Sequence, residues 1–191
     1  MQASAATRNI AVANQAAGGN RILADGLGPN ALGRIDRDVL SQSGVKYAMI
    51  FEGVNDIGVA SPDRMNQSII YERVVQAYDQ MITRIHAHGI AVFGSTITPF
   101  SGANATLQPY SNPVREETRQ QINAWIRNSG RFDEVVDFDQ ILGDPEHPDQ
   151  LNPLYDSGDY LHPNPAGYQA LADAFPLEIF TQWASGVNGF M

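Results

Sequence analysis

The sequence has no cysteine, no long hydrophobic run and few basic side chains. Without cysteine, the chain cannot form disulfides, thiolate metal sites or a cysteine nucleophile. No apolar stretch approaches the length of about 20 residues that a membrane-spanning helix needs. Residues 1–6 lack the basic patch and the following apolar run of a secretory signal peptide. These absences predict a soluble protein and leave its compartment open.

The shortage of positive charge also limits the partners. The chain has 12 Lys and Arg against 21 Asp and Glu, which gives a formal net charge of −9. Affinity for phosphate backbones comes mainly from clustered Lys and Arg, and no such cluster is present. The charge balance therefore predicts that the protein binds neither nucleic acid nor anionic membrane surfaces.

What is present is the composition of one globular domain. The 191 residues are 43% hydrophobic and 17% charged, which is ordinary for a protein with a packed core. No internal repeat or linker divides the chain, so residues 1–191 are predicted to form a single domain.

Apolar runs of strand length alternate with segments of helical period. The strands are predicted over residues 9–13, 46–51, 90–97 and 134–137. The helices are predicted over residues 30–40, 67–88 and 116–126, with a last helix that starts near Pro165. This alternation predicts an α/β fold with a parallel sheet that is covered on both faces. Functional residues of such sheets gather at the carboxyl ends of the strands.

The first candidate site follows the strand predicted over residues 46–51. Gly53 allows a sharp turn, and Asn55 lies two residues further on, where its side-chain amide can donate to an oxyanion. Asn, Asp and Gly also favour ordinary turns, so residues 53–56 taken alone fit a turn as well.

The second candidate is the pair Asp159 and His162, just before the last helix. A histidine that acts as a general base needs a carboxylate to fix its tautomer and to stabilise its cation. Three residues apart in a loop, the two side chains can meet. The same spacing also occurs where a loop carboxylate and a solvated histidine have no joint role.

The third candidate is the segment of residues 14–21, NQAAGGNR, after the first predicted strand. Backbone N–H groups in a glycine-rich turn can form an anion-binding concavity. A plain strand-to-loop turn is the alternative. The spacing of a dinucleotide fingerprint, G-x-G-x-x-G, is absent.

Taken together and in this order, the three segments resemble sequence blocks of the SGNH (GDSL-type) hydrolase family. Residues 14–21 are similar to the second block, residues 52–56 (EGVND) to the third, and residues 159–168 (DYLHPNPAGY) to the fifth. The resemblance covers nearly the whole chain. It implies a flavodoxin-like three-layer α/β/α sandwich with a parallel sheet.

The resemblance also implies roles for four residues. His162 would be the general base of a carboxylic ester hydrolase, and Asp159 would orient it. Gly19, through its backbone N–H, and Asn55, through its side-chain amide, would form the oxyanion hole. The implied substrates are small-molecule or carbohydrate esters, with a small acyl group such as acetyl. No metal and no organic cofactor is implied.

One part of the family pattern is missing. The family's nucleophile is the serine of a Gly-Asp-Ser motif after the first strand, and no Gly-Asp-Ser occurs in this sequence. Ser4 has no strand and no Gly-Asp before it, so it does not replace this serine. Four further serines lie outside any nucleophile-like turn: Ser61, Ser95, Ser101 and Ser157. Two alternatives to a serine esterase therefore stay open, a binding protein that keeps the cleft without catalysis and a hydrolase in which His162 activates water.

The missing block predicts a domain that lacks its first strand and first helix. In the family's sheet this strand lies between the strands predicted here over residues 9–13 and 46–51. Its loss would leave two apolar edges roughly 10 Å apart, which is two strand spacings. Unpaired edges are prone to pair with another chain, so a homodimer is predicted, with re-pairing inside the monomer as the alternative.

Overall fold

The computed structural model describes residue 1 and residues 4–104 and 106–188. Within these ranges the chain forms three strands and seven α-helices. The strands are β1 (Tyr47–Ile50), β2 (Ala91–Ser95) and β3 (Glu134–Val136). The helices are α1 (Ala31–Ile35), α2 (Val54–Val59), α3 (Arg64–His86), α4 (Pro113–Asn128), α5 (Phe138–Leu142), α6 (Pro165–Asp173) and α7 (Ile179–Gln182), and a π-helical segment (Asp36–Leu40) continues α1. No helix in the described ranges is both long and apolar enough to cross a membrane.

The sheet is parallel, with the order β1-β2-β3. Tyr47 is in register with Ala91, and Phe93 is in register with Glu134. All five residues of β2 are buried, as a central strand requires. The parallel α/β fold predicted from the sequence is confirmed.

Alternate residues of the strands pack into different hydrophobic clusters, because successive side chains of a strand point to opposite faces. Ala48, Ile50 and Val92 pack with the buried side of α3, whereas Ala91 and Phe93 pack with Ile179 of α7. Val136 of β3 packs with residues of α5 and α6. Helices therefore cover both faces of the sheet.

Polar side chains cap five of the helices. A side-chain oxygen of each capping residue accepts a hydrogen bond from a backbone N–H of the first turn, and the capping residues are Asn30, Asp63, Asn112, Asp137 and Asn164. Such caps satisfy N–H groups that have no partner inside the helix. Pro113 and Pro165 occupy the first helical position, where the missing N–H costs nothing. The local sequence therefore determines where these helices begin.

The strand predicted over residues 9–13 is wrong. This segment has no regular structure, and the side chain of Val12 is 76% exposed. A strand needs a neighbour for its backbone N–H and C=O groups. In the described part of the chain, the sheet consists of β1, β2 and β3, and residues 9–13 pair with none of these strands. The apolar run is therefore left in solvent.

β1 consequently lies at an edge of the described sheet. Met49 of β1 is 40% exposed, which is unusual for a large apolar residue on a parallel strand, and Phe51, directly after β1, is 43% exposed. Phe51 has only partial cover, an edge-to-face contact with Phe138. This side of β1 is the least covered part of the sheet.

Candidate active site

The candidate residues lie near the carboxyl ends of the strands, on loops or, for Asn55, in the first turn of α2. Asn55 follows the carboxyl end of β1, and the loop of residues 96–112 follows the carboxyl end of β2. In a parallel sheet these ends meet at the same edge. Asp159 and His162 lie between α5 and α6, in a loop that is closed by a bridge between Asp156 and Pro163.

Gly53 makes the turn that brings Asn55 to this edge. Its φ of 112° lies in the region that favours glycine, and a Cβ there would stand 3.1 Å from both Ile97 Cδ1 and Tyr78 Oη. α2 begins at the next residue, so Asn55 is the second residue of the helix.

The side-chain amide of Asn55 is held at both ends. Nδ2 donates to the carbonyl of Asn20 at 2.9 Å, and Oδ1 accepts from the hydroxyl of Tyr110 at 3.0 Å. A carbonyl oxygen can only accept, so the contact with Asn20 determines which end of the amide is nitrogen. Among the described residues, the second N–H of Nδ2 has no hydrogen-bond partner. It is available as a donor to an oxyanion.

Asp56 joins the same turn to the glycine-rich segment. Its carboxylate accepts from the backbone N–H groups of Ile22 at 2.8 Å and Leu23 at 3.0 Å, and the residue is only 3% exposed. Burial raises the pKa of Asp56, and the two N–H donors oppose this rise. Asp56 therefore anchors the loop that carries Gly19, a role that we did not predict from the sequence.

Gly19 lies one residue before the carbonyl that Asn55 contacts. Its φ of 67° is left-handed, and a Cβ there would come within 2.5 Å of Leu27 Cδ1. The neighbouring Asn20 is buried, and both ends of its side-chain amide are hydrogen-bonded. Nδ2 donates to the carbonyl of Pro29, and Oδ1 accepts from the guanidinium of Arg34. Through its contact with the carbonyl of Asn20, Asn55 lies beside the loop that carries Gly19.

Asp159 and His162 also meet. Nδ1 of His162 lies 2.6 Å from Oδ2 of Asp159, and the backbone N–H of His162 donates to Oδ1 at 2.8 Å. The carboxylate therefore holds Nδ1–H and leaves Nε2 to act as a base. The His162 side chain is 64% exposed, and no described residue hydrogen-bonds to Nε2.

The surroundings of Asp159 keep its carboxylate ionised. Burial by itself would raise the pKa of Asp159, but hydrogen bonds from the backbone and ring of His162 and from Leu161 outweigh burial and lower the pKa to about 2. The hydroxyl of Ser157 also donates to this carboxylate, at 3.1 Å. A serine nucleophile must hydrogen-bond to the ring of its general base, whereas Ser157 hydrogen-bonds to the carboxylate of Asp159.

A second Asp-x-x-His sequence shows how little the spacing alone determines. His147 and Asp144 have the same separation, but Nδ1 of His147 lies 3.4 Å from Oδ2 of Asp144. There the carboxylate of Asp144 accepts the backbone N–H of Glu146, and the backbone N–H of His147 donates to the backbone carbonyl of Asp144. The loop that holds Asp159 is therefore what makes the close pair.

The two halves of the site are not joined by a direct hydrogen bond. No hydrogen bond joins Gly19 or Asn55 to His162 in the part of the chain that the structure describes. Gln108 and Tyr110, from the loop after β2, lie between the halves and contact both. Two surface cavities of about 800 Å³ and 980 Å³ are lined by other residues.

Glu52 is a further acid beside this edge that the sequence did not single out. Its side chain is 18% exposed, and its nearest charged partner is Arg34, at 3.5 Å. Burial raises the pKa of Glu52 to about 7, against the attraction of Arg34 and with the help of the nearby Asp56. Only the tertiary structure shows that this carboxyl is withdrawn from water.

Comparisons with known proteins agree with the fold and the sequence blocks. The GDSL-like lipase/acylhydrolase family matches residues 2–170. A GDSL-like lipase from Bacteroides thetaiotaomicron has 20% sequence identity and a TM-score of 0.57, over 80% of this chain and 68% of that chain. A G-D-S-L family protein from Desulfitobacterium hafniense has 18% identity and a TM-score of 0.54, over 75% of this chain and 70% of that chain. No curated protein matches the sequence.

At these identities, the solved structures show a shared fold and no more. The family match carries the assignment, because it covers most of the chain and all three sequence blocks. The chain therefore belongs to the GDSL-like lipase/acylhydrolase family, whose members are hydrolases of the ester type.

Proposed function

We propose that the candidate site hydrolyses carboxylic esters with a small acyl group, such as acetyl esters of small molecules or carbohydrates. The observation that carries the proposal is the 2.6 Å contact between Nδ1 of His162 and the carboxylate of Asp159, which leaves Nε2 exposed. The unused N–H of Asn55 and the neighbouring backbone N–H of Gly19 support it.

In the proposed reaction, an oxygen nucleophile attacks the ester carbonyl carbon while Nε2 of His162 takes the proton of that oxygen. The carbonyl electrons move onto the carbonyl oxygen, which accepts hydrogen bonds from Asn55 and Gly19. The tetrahedral intermediate then expels the alcohol oxygen, and the proton passes from His162 to this leaving group. Asp159 keeps His162 in the correct tautomer and stabilises its transient cation.

The nucleophile distinguishes two versions of the proposed hydrolysis. A serine would give an acyl-enzyme, but the 191 residues hold no Gly-Asp-Ser. Water activated by His162 would give the acid in one step. The second candidate function is a binding protein without turnover, which the contact of Ser157 with Asp159 in place of His162 favours.

We expect slow hydrolysis of a short-chain activated ester by the 191-residue chain. Without a triad nucleophile, catalysis of roughly 10³–10⁴-fold over water can remain where an oxyanion hole survives. General base catalysis by His162 on a water molecule adds to the contribution of the oxyanion hole, so in the version with activated water His162→Ala should lower the rate about 100-fold. His147→Ala is the matched control, since it removes an exposed histidine beside an aspartate elsewhere, and its rate should equal that of the unchanged chain.

Each other outcome identifies a different version. Brisk turnover with a burst and stoichiometric labelling by a serine-directed phosphonate would establish a serine nucleophile. Saturable binding of an acylated sugar without turnover would establish the binding protein. Equal rates for the unchanged chain and His162→Ala would contradict the role proposed for His162.

We also propose that two copies of the chain pair through the uncovered edge of β1. Unpaired strands with exposed apolar side chains readily pair with other chains, and Met49 and Phe51 are exposed there. Light scattering at micromolar concentration should therefore give twice the chain mass of 20.8 kDa.

Met49→Lys should return the mass to that of the monomer, because a charged side chain on an edge strand discourages pairing. Met65→Lys, at an exposed position of α3, is the control and should leave the dimer intact. A mass of 20.8 kDa for the unchanged chain would refute the dimer.

A further inference from the structure

Gln108 and Tyr110 connect the two halves of the candidate site through hydrogen bonds. The hydroxyl of Tyr110 donates to Oδ1 of Asn55, and the backbone N–H of Tyr110 donates to Oε1 of Gln108 at 3.0 Å. Nε2 of Gln108 donates to the carbonyl of Asp159 at 2.7 Å. One continuous path thus runs from the amide of Asn55 to the residue that orients His162.

This connection is firmly built. Gln108 is buried, and its amide uses both ends. The ring of Tyr110 occupies the space in which a side chain at Gly58 of α2 would lie, and it packs edge-to-face on Phe100.

Arg115 fixes the backbone between the two residues. Its guanidinium donates to the carbonyl of Pro109 at 2.8 Å and to the carbonyl of Ala60 at 2.7 Å. The segment 108–110 is therefore tied to the end of α2, the helix that carries Asn55. Because Arg115 is buried, its hydrogen bonds to these two carbonyls are shielded from water and hold the loop in place.

We propose that Gln108 and Tyr110 are positioning residues that set the orientation of the Asn55 amide and its distance from the His162–Asp159 pair. This inference rests on the proposed ester hydrolysis. Tyr110 holds Oδ1, so that Nδ2 keeps one N–H on Asn20 and directs the other towards the substrate. Gln108 ties the same segment to the loop of the general base.

The test uses Tyr110→Phe, which removes the hydroxyl and keeps the ring on Gly58. Hydrogen exchange of the Asn55 side-chain amide, followed by NMR, should become roughly tenfold faster, as expected for the loss of one hydrogen bond. The kcat of the residual ester hydrolysis should fall roughly threefold to tenfold, with KM unchanged within a factor of two. Tyr71→Phe is the matched control, a tyrosine of α3 outside the site, and it should change neither quantity.

A double-mutant cycle then tests whether the two residues act together. Gln108→Leu should lower kcat by a similar factor, and the double variant should lose no more than the worse single variant, because either change breaks the same connection. Fully multiplicative losses would overturn the coupling.

The two proposals fail in distinguishable ways. If the unchanged chain shows no hydrolysis, the proposed function fails, and the exchange of the Asn55 amide alone decides the inference. Unchanged Asn55 exchange in Tyr110→Phe would overturn it. Faster exchange with unchanged kcat in an active protein would also overturn it, since the held orientation would then have no role in the reaction.

Discussion

Asp56→Ala is expected to lower the free energy of unfolding by roughly 3 kcal/mol, because two buried N–H groups lose their acceptor. The carboxylate of Asp56 is the acceptor for Ile22 and Leu23, and at 3% exposure water cannot replace it without opening the loop. The same change should release the segment that holds Gly19. Chemical denaturation measures the first effect, and hydrogen exchange of the Ile22 and Leu23 amides measures the second.

Asp173→Ala provides the matched control for this prediction. Asp173 is an exposed residue at the end of α6 and accepts a hydrogen bond from Gln169 on the surface. Its removal should change the stability by less than about 0.5 kcal/mol. If Asp56→Ala were equally mild, with unchanged exchange at Ile22 and Leu23, Asp56 would not be the anchor of the glycine-rich loop.

Glu52→Gln is expected to remove a strong pH dependence of stability. The pKa of Glu52 is about 7 in the folded chain, above its usual value of 4.5. Between these two pH values the folded state holds a proton that the unfolded state has lost, so the stability of the unchanged chain falls as the pH rises from about 4.5 to 7. Between these pH values, the free energy of unfolding falls by roughly 3 kcal/mol because of Glu52, and the fall is complete once the pH is well above 7.

The measurement compares the free energy of unfolding of both proteins at several pH values from 4.5 to 8. Relative to the unchanged chain, Glu52→Gln should gain about 3 kcal/mol across this range. Glu117→Gln is the control, since Glu117 is half exposed beside Arg64. Its difference from the unchanged chain should be nearly independent of pH. A flat difference for Glu52→Gln would mean that water reaches the Glu52 carboxyl.

The sequence by itself determined most of the elements around the site. The helix predicted over residues 67–88 spans Arg64–His86, and the strand predicted over residues 46–51 contains Tyr47–Ile50. Asparagine, aspartate and proline mark the starts of helices, because their effects on the backbone act within the first turn. The contact between Asp159 and His162 could also be predicted from the sequence, because both residues belong to one short loop.

The tertiary structure alone decided which apolar runs became strands. Residues 9–13 have the composition of a strand and are not one, because strand formation depends on a neighbour that no local pattern reveals. The helix Ile179–Gln182, which we did not predict, is four residues long and gains its stability from packing on the sheet through Ile179.

The tertiary structure also decided what surrounds the predicted site residues. Tyr110 contacts Asn55 and Asp56 contacts Ile22 across distant parts of the chain, where neither spacing nor propensity can indicate a partner. The burial that raises the pKa of Glu52 likewise comes from the packing around it and not from its neighbours in sequence. The local sequence thus determined the loops and the helix start that carry Gly19, Asn55, Asp159 and His162. Long-range packing determined which distant residues hold them in place.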